Sequence, residues 1–208
     1  MTAAPFIAFA FGSGAEAGPL VCDPGTAELQ AEVGFAGALP TVLIGGRAAV
    51  SPRVDLGARA VTHAGLAYAF GGAVRWAASE RIGAALLVDE SFYTVEEIGG
   101  IQSLRSPFGN RVALTPQLIG AVTTGRGIDL DLGGGAEIGV LRLEQGPAAT
   151  VRRVRPALDN LWAEVRADWP RERGVLYVRV RAIVPVADPF HVLGYLPWVA
   201  IGREWGLR

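Results

Sequence analysis

The side chains able to do covalent chemistry are few and scattered. There are two histidines, His63 and His191, a run Asp89-Glu90-Ser91, and Asp188 beside the second histidine. Groups of these types can supply a base, an orienting carboxylate and a hydroxyl nucleophile. No motif joins them, and the two histidines fall on segments far apart, so ordinary rim or loop histidines are the plainer reading. Cys22 is the single cysteine, has no neighbouring base and leaves no internal disulfide to form. With His63 and His191 it cannot complete a tetrahedral metal site. Gly133-Gly134-Gly135 follows a strand-like run, but nothing helical comes after it, so the context of a phosphate-cradling loop is missing. Three glycines inside a strand relieve crowding or bend it. The expectation is no catalytic residue, no metal and no cofactor.

The 208 residues carry 19 basic side chains, every one arginine, against 20 acidic ones. Nucleic acid is excluded as a partner, because phosphate neutralisation needs a clustered basic excess. Half the residues are apolar and mean hydropathy is +0.33. Uncharged stretches such as 33–46, 60–74 and 112–125 fall short of the roughly 18 residues a membrane helix needs. A helical membrane protein is excluded; a membrane protein is not. At the N-terminus, Ala4 to Phe11 is a short apolar core, followed by Ala15-Glu16-Ala17, a small-x-small pattern like a signal-peptidase site. The expectation is a truncated secretory signal over 1–17, an N-terminal segment over 18–26, and one domain over 27–208.

From residue 27 onward the hydropathy period is two. In Glu28 to Ala36, Leu29, Ala31, Val33 and Phe35 oppose Glu28, Gln30 and Glu32. The same alternation sets Arg47 against Val42, Ile44, Ala48 and Val50, sets Asp55, Arg59 and His63 against Val54, Leu56, Ala58 and Ala60, and sets Arg75 against Tyr68, Phe70, Val74 and Trp76. Further on, Arg111, Thr115 and Gln117 oppose Val112, Leu114 and Leu118; Asp131 and Glu137 oppose Leu130, Leu132 and Ile138. Glu164, Arg166 and Asp168 oppose Leu161, Ala163, Val165, Ala167 and Trp169; Tyr177, Arg179 and Arg181 oppose Leu176, Val178, Val180 and Ala182. With Ile82 to Phe92 and Tyr195 to Trp205 this makes ten strands, or eight if the short first pair fails to form.

Tight polar connections at Ser51 to Arg53, Glu80-Arg81, Gly125 to Gly127 and Pro170 to Gly174 alternate with others that include the long Thr94 to Gly109. Tight turns on one side put both chain ends on that side, the pattern of a closed, antiparallel, up-and-down transmembrane β-barrel. Trp76, Trp169 and Trp205 fall on the apolar faces near the tight-turn side, and Phe35, Tyr68, Phe92 and Tyr195 near the other rim. A strand tilted by ~40° separates Tyr68 from Trp76 by roughly 20 Å, close to the height of a barrel's apolar band. The opposite face mixes Gly, Ala, Thr and Gln with isolated charges of both signs, which is a crowded lumen rather than a solvated surface. The expected interior network is Glu28, Glu32, Arg47, Asp55, Arg59, Arg75, Asp131, Glu137, Glu164, Arg166, Arg179 and Arg181, with Arg47 near Asp55, Glu164 near Arg179, and Glu28 and Glu32 facing Arg47.

The hairpin Arg47 to Ala60, the strand-turn-strand unit Val165 to Arg181 and the closing segment Trp198 to Leu207 resemble the small single-chain outer-membrane β-barrel proteins of Gram-negative bacteria. The resemblance covers about 27–208 and rests on general features. It implies outer-membrane lipid and lipopolysaccharide as partners, and insertion by the outer-membrane assembly machinery, which reads the C-terminal strand. Arg152, Arg153 and Arg155 would then be phosphate-matching forks at an outer rim. About ten strands is too narrow for a wide solute pore, leaving a structural, surface-interaction or narrow-channel role. Two alternatives remain: an outer-membrane rim-site hydrolase, protease or lipid-modifying, using the histidines, and a soluble β-barrel binding a small apolar ligand. The second is favoured by Pro116 and Pro185, since a closed barrel has no edge to hide a missing N–H.

Overall fold

The computed structural model describes residues 22, 26–36, 39–63, 67–95, 106–124, 127–145, 150–171, 174–186 and 197–207. Alternating sequences form strands throughout: β1 (Ala27–Ala36), β2 (Leu39–Ser51), β3 (Val54–His63), β4 (Ala67–Ala77), β5 (Ile82–Val95), β6 (Ser106–Thr123), β7 (Asp129–Gln145), β8 (Thr150–Arg153), β9 (Ala157–Arg171), β10 (Gly174–Pro185) and β11 (Trp198–Leu207). Consecutive strands pair antiparallel from β1 to β7, β7 pairs with β9, and β9, β10 and β11 follow in order. The ring closes between first and last strands, in unbroken register from Ala27 opposite Leu207 to Ala36 opposite Trp198. This is an all-β, up-and-down barrel whose ten long strands each pair on both sides. The eleventh, β8, returns only along the last residues of β7, Arg142 to Gln145.

Turn chemistry fixes the hairpins at one end. After β4, the Ser79 hydroxyl accepts the amides of Arg81 (3.2 Å) and Ile82 (3.1 Å), a side-chain-closed turn. Between β6 and β7, Gly127 takes φ of +72°, and Gly174 opens β10 at φ of +127°, both in the region that glycine enters without a Cβ penalty. The connection expected over 94–109 is shorter than its composition suggests. β5 runs on to Val95 and β6 starts at Ser106, paired with each other through a register shift after Tyr93.

Neither proline opens the wall. Pro116 stands opposite Leu86 of β5, and the ladder toward β7 passes from Leu114 to Gln117, so the missing N–H falls at an interruption. Pro185 is the last residue of β10.

Polarity is reversed relative to a water-soluble sheet. Val33, Ile44, Phe70, Leu118, Val165, Val180 and Ile201 face outward and exposed, while Arg47, Asp55, Arg59, Glu164, Arg166, Arg179 and Arg181 are buried inside. A protein whose surrounding solvent is water exposes its charges and hides its aliphatic side chains. Hydrocarbon asks for the opposite, and for a closed barrel that satisfies every backbone group internally.

Candidate functional site

The interior is the candidate site, because it gathers the charges into several ion-paired clusters. At the end bearing the short turns, Arg47 of β2 donates through Nε to Glu28 of β1 (2.6 Å) and lies 3.9 Å from both Asp55 of β3 and Glu204 of β11. Arg166 of β9 bonds Asp168 (2.5 Å) on its own strand and Glu204 (2.8 Å), and lies 3.7 Å over the Tyr177 ring. Asp131 of β7 stands opposite Arg166 in register, and its carboxyl contacts that of Asp168. Cys22, preceding β1, is buried there as well, its backbone amide donating to the Asp55 carboxylate (2.8 Å). Burial pushes its thiol up to about 12, which leaves it unreactive at neutral pH.

Midway along the barrel, Gln30 donates to the Tyr177 hydroxyl (2.6 Å), which donates to Glu32 (3.0 Å). Glu32 is also ion-paired with Arg179, and Arg179 lies 3.6 Å from Glu164. Arg181 grips Glu164 through Nε (2.8 Å) and Nη2 (2.6 Å), with its guanidinium 4.4 Å from the Trp162 ring and 5.4 Å from that of Trp198. Tyr177 reaches this position because its strand neighbour Gly202 has no side chain; a Cβ there would overlap the phenol. Gly135 does the same for Trp162, whose ring atoms would lie 2.8 and 3.0 Å from an added Cβ. Within the triglycine, Gly135 thus makes room for an indole.

On the facing wall, Arg59 of β3 reaches across β4 to Asp89 of β5, with bonds of 3.1 and 2.6 Å. Gly71 lies between them in register, Arg59 opposite Gly71 and Gly71 opposite Asp89. Arg75 is buried on the same wall, opposite Asp55. Arg111 of β6 pairs with Glu137 and bonds Asp159 through Nη2 (2.7 Å). Because an added Cβ at Gly71 would collide with the Asp89 carboxyl, Gly71→Val forces the Arg59–Asp89 pair apart. The expected loss is about 1–3 kcal/mol, the usual cost of overpacking, read by denaturant unfolding in lipid vesicles.

Eleven of the twelve expected interior residues are buried inside the barrel, and Glu28 is half-buried beside Arg47. One partner differs from expectation: Glu32 meets Arg179 of β10 rather than Arg47, because closing β1 on β11 brings β10 within reach. Residues missed as network members are Asp89, Arg111, Asp159, Asp168 and Glu204, with the aromatic fillers Trp162, Tyr177 and Trp198. Parity alone marks most of these, since Trp162 shares the phase of Glu164 and Trp198 that of Glu204. Asp159 is masked by a bulge, where the register slips between Glu137 and Ile138.

Phe35, Tyr68 and Trp76 face outward and exposed, and Phe92, Trp169 and Trp205 are half-exposed. Tyr195, His191 and Asp188 lie outside the described residues, as do the side chains of Arg152 and Arg153 and the N-terminal segments apart from Cys22 and Thr26. His63 points inward instead of at a rim site. It is buried, 2.9 Å from the Thr41 hydroxyl and edge-on to Trp198. Asp89 serves Arg59, Ser91 donates to the Arg111 carbonyl (3.2 Å), and Glu90 accepts from Asn110 (2.8 Å). None of the three is bonded to His63, whose ring meets the Thr41 hydroxyl instead, and no group of metal-ligating side chains forms among the described residues.

No family model and no curated protein matches the chain. Among solved structures it is similar to the translocator domain of the autotransporter NalP from Neisseria meningitidis (13% identity, 88% of this chain and 86% of that one, TM-score 0.39). It is also similar to the KdgM porin (7% identity, 88% and 99%, TM-score 0.43). A third is an outer membrane channel from Pseudomonas putida F1 (11% identity, 88% and 94%, TM-score 0.41). The closed ladder and the reversed polarity of this chain are the architecture of a transmembrane β-barrel.

Proposed function

We propose that the chain is an integral outer-membrane β-barrel of a Gram-negative envelope whose interior is closed by its own side chains, and that its role is structural and surface-facing. The observation that supports this most directly is how dry the inward side chains are. Asp55, Thr115, Arg166, Tyr177 and Arg181 are 0% exposed, and Arg179 and Trp198 only 1%. A solute conduit leaves its lining wetted. Here guanidinium, indole and phenol groups of neighbouring strands pack against one another inside the barrel, and ten strands leave little more space than side chains fill. On this reading the buried ion pairs specify the barrel's register and hold it shut. The partners are membrane lipid, lipopolysaccharide at the outer rim, and the assembly machinery that inserts such barrels. The reading predicts a protein that fractionates with outer membranes, and no engaged hydrolase centre at His63.

Planar-bilayer recording of the purified barrel tests it. The parent protein is expected to show no steady open-channel current. Trp162→Ala/Trp198→Ala, which removes the two indoles packed against Arg181, is expected to introduce current steps absent from the parent. Porin-scale conductance from the parent overturns the closed-lumen reading.

A further inference from the structure

The outward face of the strands is almost free of charge. Among the described residues, only Glu90, Arg171 and Arg203 break it. Glu90 is satisfied by Asn110, 2.8 Å away, and Arg171 ends β9. Arg203 is different. It lies four residues before the end of β11, exposed, between Ile201 and Trp205 on the same outward face. Its cross-strand neighbours are apolar, Ala31 on β1 and Leu176 on β10. Leu176 is in turn opposite Trp169. No carboxylate among the described residues pairs with Arg203; its guanidinium carbon lies instead 5.5 Å from the centre of the Trp205 ring.

A guanidinium rooted in an apolar face extends toward the nearest polar layer, keeping its stem on the hydrocarbon side. At ~40° tilt, four residues of strand place the Arg203 Cα roughly 10 Å inside the strand end. The contact with Trp205 shows the side chain directed toward that end, at the depth where indoles sit among headgroups. Ala31 leaves the β1 side of the guanidinium open, and the planar fork of Arg matches two phosphate oxygens at once.

We propose that Arg203, flanked by Trp205 and Trp169, is a binding site for the phosphate of a phospholipid in the leaflet at the short-turn end. The site rests on the membrane-spanning reading and extends it from a lipid surface in general to one headgroup position on the β1–β11 seam. The guanidinium supplies the charge-assisted bonds, the two indoles border the headgroup, and the acyl chains run along Ile201, Val33 and Val199, all exposed on the same seam.

The test uses the full chain folded in dodecyl maltoside with added palmitoyl-oleoyl-phosphatidylglycerol. Retained lipid is counted by native mass spectrometry, and mobility is compared on gels before and after boiling. Arg203→Gln is expected to retain this lipid roughly tenfold more weakly, the factor one charge-assisted hydrogen bond supplies. Arg203→Lys is expected to fall between, and excess inorganic phosphate to leave wild-type retention unchanged. Equal retention by wild type and Arg203→Gln, with both still shifting on boiling, overturns the site and leaves the barrel reading intact. Displacement by inorganic phosphate also overturns it, marking a bare anion contact. A wild-type protein with no heat-dependent shift defeats the membrane reading itself, and the lipid site with it.

Discussion

Arg179→Ala is expected to cost the barrel about 3–5 kcal/mol, the range found when one member of a buried ion pair is removed. The guanidinium is fully enclosed, paired with Glu32 and 3.6 Å from Glu164. Truncation leaves the Glu32 carboxylate without its cation, with the Tyr177 hydroxyl as its remaining donor among the described residues. The double replacement Glu32→Gln/Arg179→Met removes both charges at similar volume and is expected to cost clearly less, because burying two neutral side chains avoids desolvating an unpaired charge. Denaturant unfolding in phospholipid vesicles at fixed pH measures both. A cost under about 1 kcal/mol for Arg179→Ala is what a solvated pair gives, and would mean that the lumen is wet.

Val180→Arg is the second large effect. Val180 lies midway along β10, outward, with Val165 and Val199 opposite it on the neighbouring strands. A charge placed at the middle of a lipid-facing strand costs about 2–4 kcal/mol in a transmembrane barrel. Val180→Leu, which keeps the apolar surface, is expected to stay within about 0.5 kcal/mol. In a sheet whose outer face met water, both replacements would be nearly neutral, so the difference between them reports which solvent surrounds β10.

These two residues also show how far the order of amino acids alone determines the barrel. The alternation Tyr177, Arg179, Arg181 against Val178, Val180, Ala182 is local, and a period of two assigns each side chain to a face without knowledge of its neighbours. The tight turns, the antiparallel order and the closed ring of ten strands follow from the same kind of local signal. Partner identity does not. Arg179 meets Glu32 because β1 closes on β11, a contact between the two ends of the chain with no mark in either segment. Arg59 meets Asp89 across an intervening strand only because Gly71 is a glycine, so the informative residue is the one with no side chain. Asp159 escapes parity through the bulge at Glu137, where one extra residue reverses the facing. The run from Thr94 to Gly109 reads as loop from its Ser-Pro and Gly punctuation, yet pairing of β5 with β6 carries on to Val95 and Ser106, where ladder bonds outweigh turn propensity.

The central claim is that charged side chains fill the inside and hydrocarbon surrounds the outside. The most direct test is a spin-label scan of residues 176–184 in a Cys22→Ser background, reading collision rates with oxygen and with a water-soluble nickel chelate in lipid vesicles. Labels at 178, 180, 182 and 184 are expected to collide freely with oxygen and hardly with nickel, while those at 177, 179, 181 and 183 are shielded from both. High nickel accessibility at the even positions would place that face in water and contradict the account.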